Sequence, residues 1–152
     1  MNADKMIAFY KRQRAEHVAA VNRYAAKIGY SFPAHDADMF VEPLLSKIAP
    51  LKWCHWHHIK AHPRIIQAGA SATGTHRREN PHHPEHWAHV SDMTVDAIAE
   101  MCCDWCAVNT GRGKYPTPMD FYKNNALPKY KFTAPQQALI EDFITKIMDA
   151  AK

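Results

Sequence analysis

The fold of this chain is organised around fourteen residues that read His76-Arg77-Arg78-Glu79-Asn80-Pro81-His82-His83-Pro84-Glu85-His86-Trp87-Ala88-His89 and hold five of its eleven histidines. Histidine is the most common metal ligand and titrates closest to neutral pH, so this density beside a carboxylate indicates metal binding or proton transfer. Pro81 and Pro84 each restrict φ and remove a backbone donor. The stretch predicts a rigid loop that presents imidazoles; the alternative is a solvated loop that is rich in histidine by chance.

Outward from this loop, apolar residues recur at three- and four-residue spacing, which predicts amphipathic helices. Helices are expected over residues 4–28, 34–42, 44–49, 51–59, 64–79, from a cap at Ser91 or Thr94 to Val108, from Thr117-Pro118 onward, and after a capping box at Thr133–Gln136. Gly29 and Gly111 are expected to end two of them. No strand pattern of any length competes, so the prediction is an all-α, single compact helical domain over residues 1–152.

Length and composition agree with one globular domain, because 152 residues with 47% hydrophobic and 22% charged residues can bury one core. The N-terminus lacks a signal-peptide pattern and no apolar run approaches a membrane span, so a cytoplasmic protein without membrane contact is expected. Cys102, Cys103 and Cys106 share one predicted helix and cannot all reach Cys54. Reduced thiols are therefore expected rather than a disulfide framework.

The formal charge of +4 and the pI near 8.9 favour anionic partners. The surplus is modest and is distributed along the chain, so it suits a small phosphorylated substrate as well as a nucleic acid. A small phosphorylated substrate, above all a nucleotide, is preferred, and a homo-oligomer is left open.

Several polar residues are expected to point inward. His17 lies beside the apolar stripe of the first helix, where a hydrogen-bonded core histidine is the alternative to a ligand. Asp104 sits at the edge of a buried helical face, where a carboxylate is costly unless it is paired or bound to a metal. Together with the adjacent pair His35-Asp36, these residues form a nitrogen and oxygen set suited to Mn, Fe, Co, Ni or Zn, with Mg also possible.

The order His17, His35-Asp36, Asp104 on successive helices resembles the HD-domain metal-dependent phosphohydrolase superfamily. More narrowly, the run from His76 through Asn80-Pro81-His82-His83-Pro84-Glu85-His86-Trp87, followed by Glu100-Met101-Cys102-Cys103-Asp104-Trp105, is similar to a short HD-like family common in bacteriophages and bacteria. The resemblance covers about residues 14 to 106. It implies an HD-domain-like helical fold, and the cytoplasm of a bacterial host if the chain is phage-encoded.

The resemblance also implies roles for individual residues. His17, His35, Asp36 and Asp104 would bind a divalent metal, and His76 and His83 would bind a second ion or the substrate phosphate; one ion is slightly preferred over two because His76 and His83 are close in sequence. The same family implies an attack of metal-activated water on phosphorus. Catalytic candidates are His76, His83, Glu85 and Glu42, and candidates for binding the substrate phosphate are Arg14, Arg77, Arg78 and His82.

One position departs from the family pattern. HD nucleotidases often have a glutamate three residues after the metal-binding aspartate, where this chain has Met39, so Asp38 or Glu42 is a candidate proton donor.

The histidines of residues 51–59 indicate either a second site or packing beneath Trp53 and Trp56. The expected function is a metal-dependent phosphohydrolase of a nucleotide or related phosphate ester. The alternatives are an HD-type diiron oxygenase, which uses four histidines and two aspartates to oxidise a small hydroxylated substrate, and a non-catalytic module that binds nucleotide or nucleic acid.

Overall fold

The computed structural model describes residues 2–109 and 114–149, and every regular element in these ranges is helical. The α-helices are α1 (Ala3–Lys27), α2 (Leu44–Trp56), α3 (Pro63–Glu79), α4 (Val95–Asn109), α5 (Pro118–Phe121), α6 (Leu127–Tyr130) and α7 (Ala134–Asp149). Short 3₁₀ turns cover Ala37–Phe40, Pro84–His86 and Val90–Asp92, and a π turn over Tyr122–Ala126 joins α5 to α6. The predicted all-α class is confirmed.

The ends of the long helices follow the predicted capping residues. Gly29, just after α1, has φ +78°, a conformation that glycine adopts without steric cost. Thr94 rather than Ser91 caps α4, because its Oγ1 accepts from Ala97 N at 3.2 Å. Thr133 and Gln136 form the predicted capping box of α7, with reciprocal bonds of 3.0 and 3.3 Å. Gly111 lies outside the described residues.

Two helix predictions were wrong in their boundaries. Residues 34–42 form only one 3₁₀ turn, because the left-handed backbone of Asp36 interrupts any longer helix. The predicted helices over 44–49 and 51–59 are one helix, α2, with Pro50 inside it. A proline there costs an intrahelical hydrogen bond, but the buried side chains of Leu51 and Cys54 continue the helix to Trp56.

The buried apolar side chains form two clusters, and α1 contributes to both. The first cluster joins the N-terminal half of α1 to α2 and α3 through Tyr10, Met39, Leu44, Leu45, Ile48, Ala49 and Ala72. The second joins the C-terminal half of α1 to α4 and α7, and includes Val21, Ile98, Met101, Ile140 and Ile144. Arg14 and His17 lie on α1 between Tyr10 and Val21, so these two polar residues fall between the two clusters.

The four cysteines are buried and free, as predicted. Within residues 2–109 and 114–149, the structure contains no helix with the length and hydrophobicity that a bilayer crossing requires.

A pair of glycine substitutions tests how closely α2 and α3 approach each other. A Cβ added at Gly69 would lie 2.9 Å from Leu51 Cβ, whereas one at Gly74 would meet only the flexible end of Arg78. Gly69→Ala should therefore lower the free energy of unfolding by about 1–3 kcal/mol through overpacking. Gly74→Ala should raise it by up to about 1 kcal/mol through helix propensity. Urea unfolding measures both, and equal effects of the two substitutions would contradict this packing.

Candidate metal centre

The polar residues predicted to point inward meet between the two apolar clusters. Residues of α1, the 34–36 segment, α3, the loop after α3 and α4 all contribute to this meeting point. His35, Asp36, His76 and His82 keep only 3%, 2%, 6% and 2% of their surface exposed. Buried ionisable groups are costly unless they are paired or bound to a cation. These four residues are therefore stable here only with a bound ligand or with a dense network of contacts.

The carboxylate of Asp36 lies at the middle of this group. Its Oδ1 is 3.1 Å from His76 Nε2 and 3.5 Å from His82 Nε2. Its Oδ2 is 2.6 Å from Arg14 Nη1. The backbone of Asp36 has φ +56°, a left-handed conformation that non-glycine residues adopt at an energetic cost. This conformation directs the carboxylate into the space between α1, α3 and α4.

The first set of possible metal donors contains three of the four predicted ligands. His17 Nε2 lies 2.9 Å from Asp104 Oδ1 and 3.3 Å from His35 Nε2. The three donor atoms are all within 4.8 Å of one another. Asp36, the fourth predicted ligand, lies 3.6 Å from His17 Nε2 and 3.4 Å from His35 Nε2. The structure therefore brings together all four residues.

A second set of possible donors lies on the other side of Asp36. His76, His82 and His83 each offer a ring nitrogen, and these atoms also lie within 4.8 Å of one another. His83 Nε2 is 3.1 Å from His76 Nε2. His82, predicted to contact the substrate phosphate, is instead buried in this set. The sequence slightly favoured one ion, and the structure places Asp36 between these two donor sets. A third group of possible donors, His35, His82 and Glu100, shares a histidine with each of them.

Several buried polar atoms in and beside the centre have no hydrogen-bond partner, including Arg14 Nε, and two of them, Asp36 Oδ1 and His82 Nε2, belong to possible metal donors. The His76 ring is close to Asp36 Oδ1 but does not satisfy it with hydrogen-bond geometry. Leaving buried polar atoms unsatisfied is costly, and a cation would satisfy both of these donor atoms. Imidazole nitrogens and carboxylate oxygens together suit divalent transition metals. The residues present therefore fit a bound metal ion.

Two carboxylates contact the histidine rings at Nδ1, the ring nitrogen other than the Nε2 that a metal would take. Glu100 Oε1 accepts from His35 Nδ1 at 2.7 Å and lies 3.3 Å from His82 Nδ1. Asp38 accepts from His76 Nδ1 at 3.0 Å and from Asn80 Nδ2 at 2.8 Å. A carboxylate that binds Nδ1 fixes the ring and directs Nε2 toward a metal. Asp38, a candidate proton donor from the sequence, is therefore engaged in orienting His76.

The sequence analysis did not identify Glu100 as a site residue. A signal was present, because Glu100 precedes Asp104 by four residues and so shares one face of α4 with it. The missing information was the position of His35, which only the tertiary fold places against that face.

The protonation states of the histidines differ within the centre. Burial disfavours the charged form of His35, but the nearby carboxylates of Asp104 and Glu100 outweigh it and raise the pKa of His35 to about 10. Burial, together with the charges of neighbouring histidines, lowers the pKa of His82 and of His83 to about 4. Near pH 7, therefore, the His35 ring is in its cationic form, with a proton on both nitrogens. The rings of His82 and His83 are neutral, which is the form that binds metals.

The other predicted site residues take different positions. Arg14 is bonded to Asp36, and Arg77 and Arg78 are exposed in the last turn of α3. Glu85 accepts from the Tyr130 hydroxyl at 2.6 Å; burial opposes its ionisation, but this bond lowers the pKa of Glu85. Glu42 is exposed and accepts from Ser46 N at 3.1 Å. The structure does not bring Glu42 to the centre, which does not favour the catalytic role predicted for it.

The histidines of α2 and its C-terminal end are placed by packing. The His57 ring stacks on Trp53 with centroids 3.9 Å apart, and Trp53 contacts Phe9 edge-on at 5.3 Å. Among the described residues, no group of three possible donors forms at His55, His57 or His58. Of the two interpretations of this segment, the structure favours aromatic packing.

Comparison with known proteins gives one match. Residues 6–148 match a family described as "Family of unknown function (DUF5662)". No curated protein and no solved structure matches the chain significantly.

Replacement of Glu100 tests its part in the centre. Glu100→Gln keeps the shape of the side chain but weakens acceptance from His35 Nδ1, so metal affinity should fall by about 10- to 100-fold. Glu141→Gln, an exposed change on α7, is the matched control and should leave affinity within about twofold. Competition with a fluorescent chelator measures both. Unchanged affinity of Glu100→Gln would show that Glu100 does not support the metal ligands.

Metal binding should release protons near pH 7. Because the raised pKa of His35 keeps this ring protonated until the pH approaches about 10, a metal that takes Nε2 must displace a proton. His82 and His83 have lowered pKa values and release none. We expect release of about one proton or more per protein. Calorimetric titration in buffers with different ionisation enthalpies measures this number, and identical heats in all buffers would contradict the assignment.

Proposed function

We propose that this chain, which belongs to the family of unknown function DUF5662, is a metal-dependent phosphohydrolase that acts on a nucleotide or a related small phosphate ester. The observation that carries the proposal is the pair of donor sets with the buried carboxylate of Asp36 between them. Such a centre, with arginines beside it, suits a reaction in which water attacks phosphorus.

Two ions are proposed for the centre. His17, His35, Asp36 and Asp104 would hold the first, and His76, His82 and His83 would hold the second together with Asp36. A bound divalent ion lowers the pKa of water and neutralises phosphate oxygens. Mn, Fe, Co, Ni and Zn suit the mixed donors, and Mg is possible.

The protein's own residues prepare this centre before substrate arrives. Glu100 and Asp38 keep a proton on Nδ1 of His35 and of His76, so that each Nε2 faces the shared space. Pro81 and Pro84 restrict the loop that carries His82 and His83. Donors fixed in this way need no reorganisation during the reaction, which is how a preorganised site favours the transition state.

Arg14 and Arg77 occupy different positions beside the centre. Arg14 neutralises Asp36 through a 2.6 Å contact and stacks over the Tyr10 ring at 5.8 Å, so it is fixed at the edge of the centre. Arg77 directly follows the donor His76 and is exposed. A guanidinium in either position can bind phosphate oxygens.

One alternative function has a specific observation in its favour. With the second donor set the centre holds five histidines and two aspartates, enough for the four histidines and two aspartates that an HD-type diiron oxygenase uses. The exposed guanidinium of Arg77 beside the centre favours a phosphate substrate instead, because an uncharged hydroxylated substrate would not pair with its charge.

The deciding experiment combines metal analysis with a screen of reactions. Protein reconstituted with each candidate metal is analysed for metal content and then tested for phosphate release from nucleoside mono-, di- and triphosphates, with and without oxygen. We expect metal-dependent phosphate release that is abolished by a chelator and is indifferent to oxygen. A requirement for iron and oxygen would identify the oxygenase, and nucleotide binding without turnover would identify a binding module.

Turnover should depend on the loop histidines and not on those of α2. His83→Ala removes a possible metal donor and should lower turnover by roughly ten- to a thousandfold while the fold survives. His57→Ala removes a ring that stacks on Trp53 outside the centre, and should change turnover by only a few-fold. Turnover and circular dichroism are measured for both variants at equal metal loading. Loss of activity in a folded His57→Ala protein, with His83→Ala active, would place the site on the Trp53 side.

A further inference from the structure

The positive charge of the chain is concentrated in one part of the fold. Residues 5–15 and 43–78 together hold ten of the nineteen lysines and arginines and none of the fifteen acids. The rest of the chain therefore carries a formal charge of −6, although the whole chain carries +4. The first segment lies in α1 and the second contains α2 and α3, and the three helices share one apolar cluster. The even distribution expected from composition is thus wrong, and this part of the molecule favours an anionic partner.

The cations of these segments differ in whether the protein itself supplies a counter-charge. Some interact with acids of other segments, namely Lys11 with Glu42, Arg14 with Asp36 and Arg77 with Glu85. Lys5, Arg12 and Lys60 are exposed, and within residues 2–109 and 114–149 none of them forms an ion pair with a carboxylate. These three charges are therefore available to an external anion.

Aromatic rings lie beside these unpaired cations. The Phe9 ring of α1 contacts Trp53, Trp56 and His57, with ring centroids 5.3, 5.9 and 5.5 Å apart. These contacts join the first half of α1 to the C-terminal end of α2. Trp56 is 49% exposed and His57 is exposed as well, so the cluster extends from the apolar interior to the surface.

The cations and the rings form one continuous surface. Lys5 Nζ lies 5.8 Å from the centroid of the Trp53 ring, and Arg12 Cζ lies 5.8 Å from that of Phe9. Lys60 follows the last ring of the cluster by three residues, which limits their Cα separation to about 11 Å. The basic aromatic surface defined in this way consists of Lys5, Arg12, Trp53, Trp56, His57 and Lys60.

We propose that the basic aromatic surface binds single-stranded nucleic acid, with bases stacked on its exposed rings and phosphates at its cations. Proteins bind single strands by combining a positively charged surface that follows the backbone with aromatic side chains on which bases stack. A duplex keeps its base faces stacked inside the helix, so this combination favours a single strand over a duplex. The inference goes beyond the proposed function and does not depend on it.

A membrane is the other anionic surface that attracts cations and tryptophan, but the exposed residues favour the strand. A helix that lies in a bilayer interface buries a continuous apolar face. In α1 and α2, all of whose residues the structure describes, Trp56 is the one exposed large apolar side chain. One exposed indole provides a platform for a base but not an apolar face for acyl chains.

The experiment measures binding of the full-length, metal-loaded protein to labelled DNA and RNA strands of about twelve nucleotides by fluorescence anisotropy. Trp56→Ala removes a stacking ring and should weaken binding by about tenfold or more, whereas Trp56→Tyr keeps a ring and should stay within a few-fold of the wild type. Val95→Ala shortens a similarly exposed apolar side chain on α4 and is the matched control. Circular dichroism confirms that each variant is folded.

A second pair of variants tests the contact with phosphate. Arg12→Gln should weaken binding by about three- to tenfold and reduce the slope of log affinity against log salt concentration by about 0.7, the value for one lost phosphate contact on a single strand. Arg23→Gln makes the same change on α1 about 16 Å further along the helix axis and should leave the slope unchanged. Trp56→Ala should also leave the slope unchanged, because stacking releases no counterions.

The proposal is overturned if folded Trp56→Ala and Arg12→Gln proteins bind the strands as the wild type does. Equal affinity for the duplex would also overturn it, since charge attraction alone would then suffice, as would loss of binding on addition of a chelator, which would place the strand at the metal centre. Binding of phosphatidylserine vesicles through Trp56, without binding of strands, would identify a membrane surface instead.

DNA and RNA strands present the same bases and phosphates, and tighter binding of one type identifies the natural source. Because the measurement does not depend on turnover, it separates this surface from the catalytic proposal. A protein that binds strands through Trp56 and Arg12 but hydrolyses nothing would refute the phosphohydrolase and leave the basic aromatic surface in place.

Discussion

The structure depends on one buried carboxylate. Asp36 is within 3.6 Å of side chains from α1, the segment before the first 3₁₀ turn and α3, and its charge is the reason that Arg14, His17, His35 and His76 converge. Burial opposes ionisation of Asp36, but its contacts with His76, His35 and Arg14 hold its pKa below the usual range. An ionised carboxylate without these partners would be strongly destabilising in this position. The strained φ of the residue is the local cost of the arrangement.

Around Asp36 the histidines are divided by their surroundings into two kinds. His35 and His76 have carboxylates on Nδ1 and raised pKa values, whereas burial and the charges of neighbouring histidines lower the pKa values of His82 and His83. The same residue type is therefore present in two protonation states within one centre. Metal affinity would depend on both, because a neutral ring is already available and a protonated ring must first lose its proton.

The helical class, the long helices and their caps could be predicted from the sequence, because periodicity and capping are local properties. The convergence of His17 and Asp104 could also be predicted, since inward polar residues on apolar faces are visible in the pattern, and the family resemblance added His35 and Asp36. The position of His82 could not be predicted, because adjacent histidines on a loop give no indication of which one turns inward. Glu100 was missed for a related reason, because its role depends on His35, which lies on another segment of the chain. Pro50 shows the opposite case. A proline is a strong local signal for a helix break, but the packing of the buried side chains that follow it continues the helix.

The separation of the apolar residues into two clusters has a consequence for folding cooperativity. The hydrophobic effect stabilises each cluster internally, but it does not hold one to the other across a layer of histidines and carboxylates. The two halves are joined through the continuous α1 and through polar contacts that depend on protonation. A ligand bound in that layer would therefore act as a cross-link between two folding units, and would convert separate local opening events into a single global one.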